Sequence, residues 1–217
     1  HEIKNPLTPI RLGAERIANS SLVLSNKKLV NTSEMILKNV DDIRHLVDEF
    51  SSFSRLPSPI LENINYNIFI DETFNFFKTS YPDIKFHLQS FISIKKKLKI
   101  KADEKQIRQV IGNIIKNSSE NFQEYNVLNK VITFSSIIVQ NHILFSIQDN
   151  GIGIKEANKT KILEPYFTTK KNGTGLGLAI SKKIIEDHQG DISIESSKKG
   201  TKVNIKFPIN NSKKRNI

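Results

Sequence analysis

Residues 104–122 read EKQIRQVIGNIIKNSSENF, and this stretch decides the fold. Its apolar residues recur three and four positions apart, which is the period of an α-helix with one buried face. They are Ile107, Val110, Ile111, Ile114 and Ile115. Asn113, Asn117 and Asn121 follow one another at four-residue intervals on the polar face. Asn is a mediocre helix former, so this row lowers the stability of the helix unless it binds a ligand. The alternative is a plain polar face in an Asn-rich chain.

The pattern around this helix predicts a domain of strands and helices from residue 62 to 208. Alternating apolar residues predict strands, and helical spacing predicts two further helices. The predicted strands are Ile84–Leu88, Val131–Val139, Ile143–Gln148, Asp191–Glu195 and Thr201–Phe207, and the predicted helices are Asp71–Ser80 and Thr174–His188. Residues 151–173 are rich in Gly, Lys, Thr and Asn and predict a mobile loop.

Residues 1–56 have a different period and predict two helices with a break at Ser25-Asn26. Each helix carries one apolar seam with spacings of three and four residues. The seams are Ile3, Leu7, Ile10, Ala14 and Ile17, and Ile36, Val40, Ile43, Val47 and Phe50. A two-helix hairpin cannot enclose a core alone, so we expect a four-helix bundle in a dimer. Pro57-Ser58-Pro59 ends the second helix and opens a linker, 57–61, and residues 209–217 predict a disordered tail.

The composition excludes several classes of protein. The 217 residues include no Cys, which rules out a disulfide framework, a thiolate metal site and a Cys nucleophile. No apolar run is long enough to span a bilayer. The net charge of +11 comes from 27 Lys and 6 Arg, a bias typical of AT-rich codons, so we expect solvated lysines rather than a specific nucleic-acid site. Because residue 1 is His, we expect the chain to be a fragment or a processed product.

The first five residues form a candidate reaction centre. On a helix, His1 and Asn5 lie one turn apart, and Glu2 flanks them. A neutral imidazole beside a carboxylate and an amide is a plausible nucleophile with a base or an orienting group. A solvated chain end is the alternative interpretation.

Two glycine-containing segments predict a nucleotide site. Asp149–Gly153 follows a strand, so its carboxylate can accept a hydrogen bond from an exocyclic amine while Gly151 and Gly153 allow close approach; a tight turn is the alternative. Gly173–Gly177 leads into a helix, where N–H groups attract phosphates. It matches neither the P-loop nor the dinucleotide spacing.

A lid and a metal ligand complete this candidate site. The aromatic pair in Pro165-Tyr166-Phe167 suggests a lid over a ligand, and Lys170 and Lys171 could neutralise a terminal phosphate. The carboxamide oxygens of the 113–121 row suit Mg²⁺, which prefers oxygen ligands and phosphates. The remaining histidines show no metal-ligand spacing.

Taken in order, these five segments resemble the catalytic core of a bacterial two-component sensor histidine kinase. His1–Leu7 resembles the H-box, Asn113–Asn117 the N-box, Asp149–Gly153 the G1-box, Pro165-Tyr166-Phe167 the F-box and Gly173–Gly177 the G2-box. The continuation to Arg16 is most similar to NtrY-like sensors of nitrogen regulation. The resemblance covers about residues 1–208.

The resemblance implies an α+β fold: a HisKA-type dimerisation hairpin over 1–56, then a GHKL-type α/β sandwich that binds ATP over 62–208. His1 would accept the phosphoryl group, Glu2 would orient or deprotonate it, and Asn5 would serve in dephosphorylating a partner. Asn117 would hold Mg²⁺. The implied ATP-binding set is Asn113, Asn117, Asn121, Asp149, Gly151, Gly153, Phe167, Thr168, Lys170, Gly173, Thr174, Gly175, Leu176 and Gly177.

The resemblance also implies partners and a location. We expect a homodimer, a response-regulator receiver domain that takes the phosphoryl group on an aspartate, and no specific nucleic acid. The chain would be the cytoplasmic portion of an inner-membrane sensor. Family members have helix before the phosphoacceptor His, so the alternative is an ATP-binding fragment without autokinase activity that docks a regulator or acts as a phosphatase. A nucleic-acid-associated ATPase of the same superfamily is a more distant alternative.

Overall fold

The computed structural model describes residues 4–20, 26–54, 56–90, 98–170 and 173–209. These residues separate into two compact units. The first contains the described residues up to Leu56 together with those of Thr168–Leu176, and the second contains Pro57–Phe167 and the residues from Gly177 onward. Among the helices of these ranges, none has the length and apolar content needed to cross a membrane.

Several predicted features fall outside the described ranges. They are His1, Glu2, Lys171, Ser25 and the tail from residue 210. Asn5 lies in a described helix, but its side chain is not described. Ile209 is described, and its N–H donates to the Asn141 carbonyl at 3.0 Å.

The first unit contains the two predicted helices, α1 (Lys4–Ala18) and α2 (Lys27–Ser54), which pack on each other. Asn26 begins α2 as predicted, because its Oδ1 accepts the Lys28 N–H at 3.1 Å. Across the pair, Arg11 donates to Asp41 at 2.7 Å, and Leu7, Ala14 and Val40 are buried. The hairpin therefore has a narrow internal seam.

Five other members of the predicted apolar seam are exposed in the single chain. The exposed members are Ile10, Ile17, Ile36, Ile43 and Phe50. Contiguous apolar residues on two neighbouring helices are unfavourable in water unless another surface covers them. The hairpin alone leaves half of its predicted core uncovered.

The second unit contains seven strands and four helices within its described ranges. In chain order they are β1 (Glu62–Asn65), α3 (Tyr66–Ser80), β2 (Lys85–Ser90), β3 (Lys99–Ala102), α4 (Glu104–Glu124), β4 (Val131–Val139), β5 (His142–Asp149), α5 (Glu156–Lys159), α6 (Gly177–Asp187), β6 (Asp191–Ser197) and β7 (Gly200–Pro208). The main sheet has the order β2-β4-β5-β7-β6, and β1 pairs with β3 in a separate two-stranded sheet. Among these described strands, β2 and β4 pair in parallel and the other pairs are antiparallel.

The core of this unit lies between the main sheet and its helices. Phe74 of α3 meets Phe86 of β2 and Phe134 of β4 edge to face, and Phe134 meets Phe145 of β5 at 5.4 Å between ring centres. The apolar face of α4 is buried: Ile107, Val110, Ile111, Ile114 and Ile115 are all 3% exposed or less. The predicted α+β fold, with a helical hairpin and an α/β sandwich, is confirmed.

Three of the differences between the predicted and observed elements concern helices. Helix α6 begins at Gly177 rather than Thr174, because Gly175 has a φ of +69°, which a helix does not contain. Helix α3 begins at Tyr66 rather than Asp71, because the Asn65 side chain accepts the N–H groups of Asn67 and Ile68. The predicted loop 151–173 contains the short helix α5.

Tyr66, the first residue of α3, joins that helix to the sheet. Its hydroxyl lies 2.6 Å from Ser136 Oγ on β4, and both residues are 2% exposed. Burial raises the pKa of the Tyr66 phenol, and the hydrogen bond to Ser136 only partly opposes this shift. The phenol therefore stays neutral and can pair with Ser136 across the working pH range.

We expect Tyr66→Phe to lower the free energy of unfolding by about 1–3 kcal/mol, because it leaves the buried Ser136 hydroxyl without this partner. The control is Tyr125→Phe, since Tyr125 is 48% exposed. That change should cost less than about 0.5 kcal/mol. Urea unfolding followed by circular dichroism measures both. Equal stability of the two variants would contradict the role of the Tyr66–Ser136 bond.

Candidate functional site

The carboxylate of Asp149, at the end of β5, is held by three donors. Oδ1 accepts the N–H of Gly151 at 2.9 Å and the N–H of Thr201 at 3.1 Å. Oδ2 accepts the Ser118 hydroxyl of α4 at 2.9 Å. An ionised carboxylate can accept about four hydrogen bonds, so this fixed group retains acceptor capacity for a ligand.

Asn150 fastens the loop after β5 to the sheet. Its Oδ1 accepts the Val131 N–H at 2.8 Å, and its Nδ2 donates to the Asn129 carbonyl at 2.6 Å. Its own N–H donates to the Val131 carbonyl at 3.2 Å. Asn150 therefore holds the loop in place beside the start of β4.

Gly151 lies directly against the end of the α4 asparagine row. A Cβ at Gly151 would be 2.4 Å from Asn121 Oδ1 and 3.1 Å from Asp149 Oδ1. Asn121 Oδ1 is itself buried and has no hydrogen-bond partner among the described residues. A buried carboxamide oxygen without a donor is unfavourable, and a ligand amine can satisfy it.

The turn between β6 and β7 forms another wall of the site. Ser196 Oγ accepts the Ile154 N–H at 2.8 Å and lies 3.1 Å from Thr201 Oγ1. Gly153 has a φ of +76°, and a Cβ there would be 1.9 Å from the Ser197 carbonyl oxygen. The loop after β5 is therefore fixed on one side by α4 and on the other by this hairpin.

Asn113 joins α4 to the first turn of α6. Its Nδ2 donates to the Gly177 carbonyl at 3.0 Å and to Ser181 Oγ at 3.3 Å. Asn117, one turn further along α4, is half-buried. The row of three asparagines thus runs from the first turn of α6, at Asn113, to the loop after β5, at Asn121.

The segment before α6 makes contacts within itself. Thr168 Oγ1 accepts the Lys170 N–H at 3.1 Å, and the Gly173 N–H donates to the Lys170 carbonyl at 3.3 Å. Thr174 Oγ1 accepts the Leu176 N–H at 3.4 Å. These residues belong to the first unit, whereas Phe167, whose N–H donates to Glu164, belongs to the second.

The structure therefore brings together one part of the predicted site. Asn113, Asn121, Asp149, Gly151, Gly153 and Gly177 surround one region of the second unit through the contacts given above. Thr168, Lys170, Gly173, Thr174, Gly175 and Leu176 lie in the other unit.

Sequence reasoning missed three residues of the site: Ser118, Ser196 and Thr201. Each reaches the loop of residues 149–154 from an element distant in sequence. Gly200, at the end of the segment 196–200 between two predicted strands, was the available signal for the hairpin turn.

The chemistry of the site is that of neutral polar groups around one carboxylate. Within the described ranges, no cluster of three or more His, Cys, Asp or Glu side chains could hold a metal ion. A divalent cation at this site would thus depend on carboxamide oxygens and on ligand phosphates, which suits Mg²⁺. The carboxylate of Asp149 and the carboxamide oxygen of Asn121 are acceptors that suit a ligand amine.

Two family models match the chain. Residues 1–59 match the His Kinase A (phospho-acceptor) domain, and residues 102–211 match the histidine kinase-, DNA gyrase B- and HSP90-like ATPase family. The nitrogen regulation protein NtrY of Azorhizobium caulinodans is 34% identical over 206 residues, which are 92% of this chain and 26% of that protein. The chain spans about a quarter to a third of the length of the curated relatives it matches.

Solved structures agree with these matches. The catalytic domain of the histidine kinase ThkA aligns with a TM-score of 0.59 and 32% identity, over 68% of this chain and 95% of that one. ThkA in complex with the response regulator protein TrrA aligns with a TM-score of 0.66 and 28% identity, over 96% of this chain and 59% of that one. The chain therefore belongs to the sensor histidine kinases of two-component signalling, and its second unit carries the nucleotide-binding fold that they share with DNA gyrase B and HSP90.

Proposed function

We propose that this chain is the core of an ATP-dependent protein-histidine kinase, which phosphorylates His1 and passes the phosphoryl group to an aspartate of a response regulator. One observation carries the proposal: the Asp149 carboxylate is fixed by three donors and retains acceptor capacity beside the unpaired Asn121 Oδ1. The match of residues 1–59 to a phosphoacceptor domain supplies the second substrate within the same chain.

The residues present fit an adenine base. Its exocyclic amine carries two N–H groups, and the Asp149 carboxylate and Asn121 Oδ1 are two acceptors that both lie beside Gly151. Any Cβ at Gly151 would collide with Asn121 Oδ1, so glycine is what allows the carboxamide and the Asp149 carboxylate to lie this close to the loop backbone. We assign Asp149 the role of accepting the amine, and Gly151 and Gly153 that of shaping the pocket.

The phosphate end of the site is assigned to Asn117 and to the start of α6. An α-helix N-terminus carries free N–H groups and a partial positive charge, and both favour phosphates. Because Asn113 uses its amide nitrogen on Gly177 and Ser181, it holds that helix start in place. Asn117 would ligate Mg²⁺ through its carboxamide oxygen, and bound Mg²⁺ would neutralise phosphate charge. Phe167, Thr168 and Lys170 form the proposed lid, and Gly173, Thr174, Gly175, Leu176 and Gly177 are assigned to the segment that flanks the triphosphate.

The chemical step transfers one phosphoryl group to His1. A ring nitrogen of neutral His1 forms a bond to the γ-phosphorus while the bond from that phosphorus to the β,γ-bridging oxygen breaks, and ADP leaves. Glu2 accepts the ring proton or orients the ring for the attack. The second transfer places the phosphoryl group on a receiver aspartate, and Asn5 is assigned to the reverse, dephosphorylating reaction.

The partners and domain limits are part of the same proposal. We propose domains at 1–56 and 62–208, joined by the linker 57–61, and a homodimer through the apolar residues that the hairpin leaves exposed. The complex of ThkA with TrrA supports a receiver domain as the partner. We assign the chain to the cytoplasmic part of a membrane sensor.

Incubation of the chain with γ-labelled ATP and Mg²⁺ should give a label that is labile in acid and stable in alkali, as expected of a nitrogen–phosphorus bond. His1→Gln should abolish the label, because glutamine offers no nucleophilic ring nitrogen. His87→Gln, a change of an exposed histidine on β2, is the control and should retain the label. A label that survives in His1→Gln would defeat the assignment of His1, and ATP binding without any label would favour a regulator-docking or phosphatase role.

Asp149→Asn should weaken ATP binding about 10- to 100-fold, since a hydrogen bond to a charged group contributes about 1.5–3 kcal/mol. It should also remove the preference for ATP over inosine triphosphate, which lacks the exocyclic amine. The amide can still accept from Gly151 and Thr201, and Ser118 can donate to Ile114 instead, so the fold should persist.

Calorimetric titration measures both affinities. Asp191→Asn, a change of an exposed carboxylate on β6, is the matched control and should leave them unaltered. An Asp149→Asn protein with full selectivity for ATP would contradict the proposed base contact.

Ile43→Glu should convert the dimer to a monomer, because it places a charge in the proposed apolar interface. Ile43 is 43% exposed in the single chain. Ile68→Glu changes an isoleucine of α3 that is 56% exposed and should leave the dimer intact. Size-exclusion chromatography with light scattering distinguishes the two outcomes. A dimeric Ile43→Glu protein would argue against the hairpin interface.

A further inference from the structure

A buried histidine at the end of α6 takes no part in the proposed nucleotide contacts. His188 is 2% exposed, and its backbone N–H donates to the Ile184 and Ile185 carbonyls at 3.1 Å, in the last turn of that helix. On the ring, Nδ1 lies 2.7 Å from the Ile184 carbonyl oxygen, and Nε2 accepts the Asp103 N–H at 2.9 Å. Both ring nitrogens are therefore used, and one of them reaches a different element.

These contacts determine where the ring proton lies. A backbone N–H can only donate, so Nε2 must carry a lone pair. The proton of the neutral ring then lies on Nδ1, where the Ile184 carbonyl accepts it. Asp103 is the N-cap of α4, because its Oδ1 accepts the N–H groups of Lys105 and Gln106. We call the bond from the Asp103 N–H to His188 Nε2 the helix link, since it joins the beginning of α4 to the end of α6.

The turn after α6 restricts the position of His188. Gln189 has a φ of +58°, which is uncommon for a residue with a Cβ. The Gly190 N–H donates to the Ile185 carbonyl at 2.9 Å, and a Cβ at Gly190 would be 2.6 Å from the Lys206 carbonyl oxygen of β7. The chain therefore turns sharply against β7 where the helix ends, and the ring is held at this turn.

Polar contacts join α6 to α4 near both ends of α6. At the start of α6, Asn113 Nδ2 donates to the Gly177 carbonyl and to Ser181 Oγ. At the other end stands the helix link. The contacts between these two points are apolar, made by residues that are 5% exposed or less: Ala179, Ile180, Ile184 and Ile185. Apolar burial is non-directional, whereas hydrogen bonds at two points restrict the rotation and sliding of a helix.

The two ends of the proposed nucleotide site depend differently on α6. The Asp149 carboxylate is held by Ser118 of α4, by Thr201 of β7 and by Gly151, and none of these residues belongs to α6. The phosphate end is assigned to Asn117 and to the start of α6. A displacement of α6 relative to α4 would therefore change the phosphate contacts and leave the base contacts as they are.

We propose that His188 is a positioning residue of the nucleotide site: through the helix link it aligns the start of α6 with the asparagine row of α4 and so strengthens the binding of the phosphate chain. This inference rests on the proposed function for its ligand, and on the structure alone for the helix link. Helix α6 has 11 residues, so its start lies about 16 Å from the link. His188 therefore acts through the orientation of the helix and not by contact with the nucleotide.

Two amide substitutions separate the roles of the two ring nitrogens. The amide oxygen of glutamine can occupy the position of Nε2, so His188→Gln keeps an acceptor for the Asp103 N–H. The shorter asparagine reaches only the position of Nδ1, so His188→Asn keeps the contact with Ile184 and loses the helix link. Both variants lose the aromatic ring, and the difference between them reports the link.

Calorimetric titration of the full chain measures the affinities for Mg²⁺-ATP and for adenosine separately. We expect His188→Asn to bind ATP about 3- to 10-fold more weakly than the parent chain, as the loss of one hydrogen bond implies, and His188→Gln to stay within about twofold of the parent. Adenosine carries the base and no phosphate, so its dissociation constant should not change in either variant. Circular dichroism checks that each variant is folded.

The ring nitrogens can be read directly in the unsubstituted chain. Nitrogen-15 NMR of His188 at neutral pH should show a protonated Nδ1 and an unprotonated Nε2. This measurement needs no substitution, so it tests the helix link even where His188→Asn does not fold. A proton on Nε2 would overturn the helix link and the proposal with it.

The binding results have separate meanings. Equal ATP affinities of the two variants would overturn the positioning role, and so would a loss of adenosine affinity in His188→Asn that matches the loss for ATP. A parent chain that binds neither ATP nor adenosine would remove the proposed function and the positioning role with it, while the NMR measurement would still decide the helix link.

Discussion

Burial of the apolar face of α4 is the constraint from which the rest of the second unit follows. Five Ile and Val side chains of this helix are almost fully buried, at about 1.5–3 kcal/mol each, so the helix cannot rotate without losing several times any polar contact energy. The same orientation also fixes the polar side chains that lie on and beside this buried face. Along that length, Asp103 and Gln106 meet the linker, Asn113 meets α6, and Ser118 and Asn121 meet the loop after β5.

The helices and strands predicted most accurately are those whose own residues show a clear period. The predicted helix Glu104–Phe122 corresponds to α4, Glu104–Glu124, and the prediction for β4 has the same limits as the strand. Strands β1 and β3 were missed, because four residues with alternating polar side chains have no period that distinguishes them from a loop. Their pairing with each other arises from contacts between residues 34 to 40 positions apart, such as Glu62 with Ala102.

The residues of the candidate site also divide into those that a local pattern predicts and those that act only through distant contacts. Asp149, Gly151 and the asparagine row could be predicted, because each belongs to a local pattern whose chemistry suits a nucleotide. Ser118 and Thr201 could not, since they acquire a role only when folding brings them to the Asp149 carboxylate. The predicted start of α6 is too early, because the helical spacing of the sequence continues through residues 174–176. The positive φ of Gly175 keeps these residues out of the helix.

Contacts of two kinds hold this chain together, and they differ in how easily they open. Around the sheet, the elements are joined by fully buried apolar side chains such as Phe134 and Phe145, and separating them exposes large areas to water. The linker is joined by two hydrogen bonds to exposed backbone, which water can replace at small cost. Regions held by few apolar contacts open at lower free energy than the core. The apolar contacts of the second unit thus lie around the sheet and the polar ones at the linker, so we expect the linker to open at a lower free energy than the sheet.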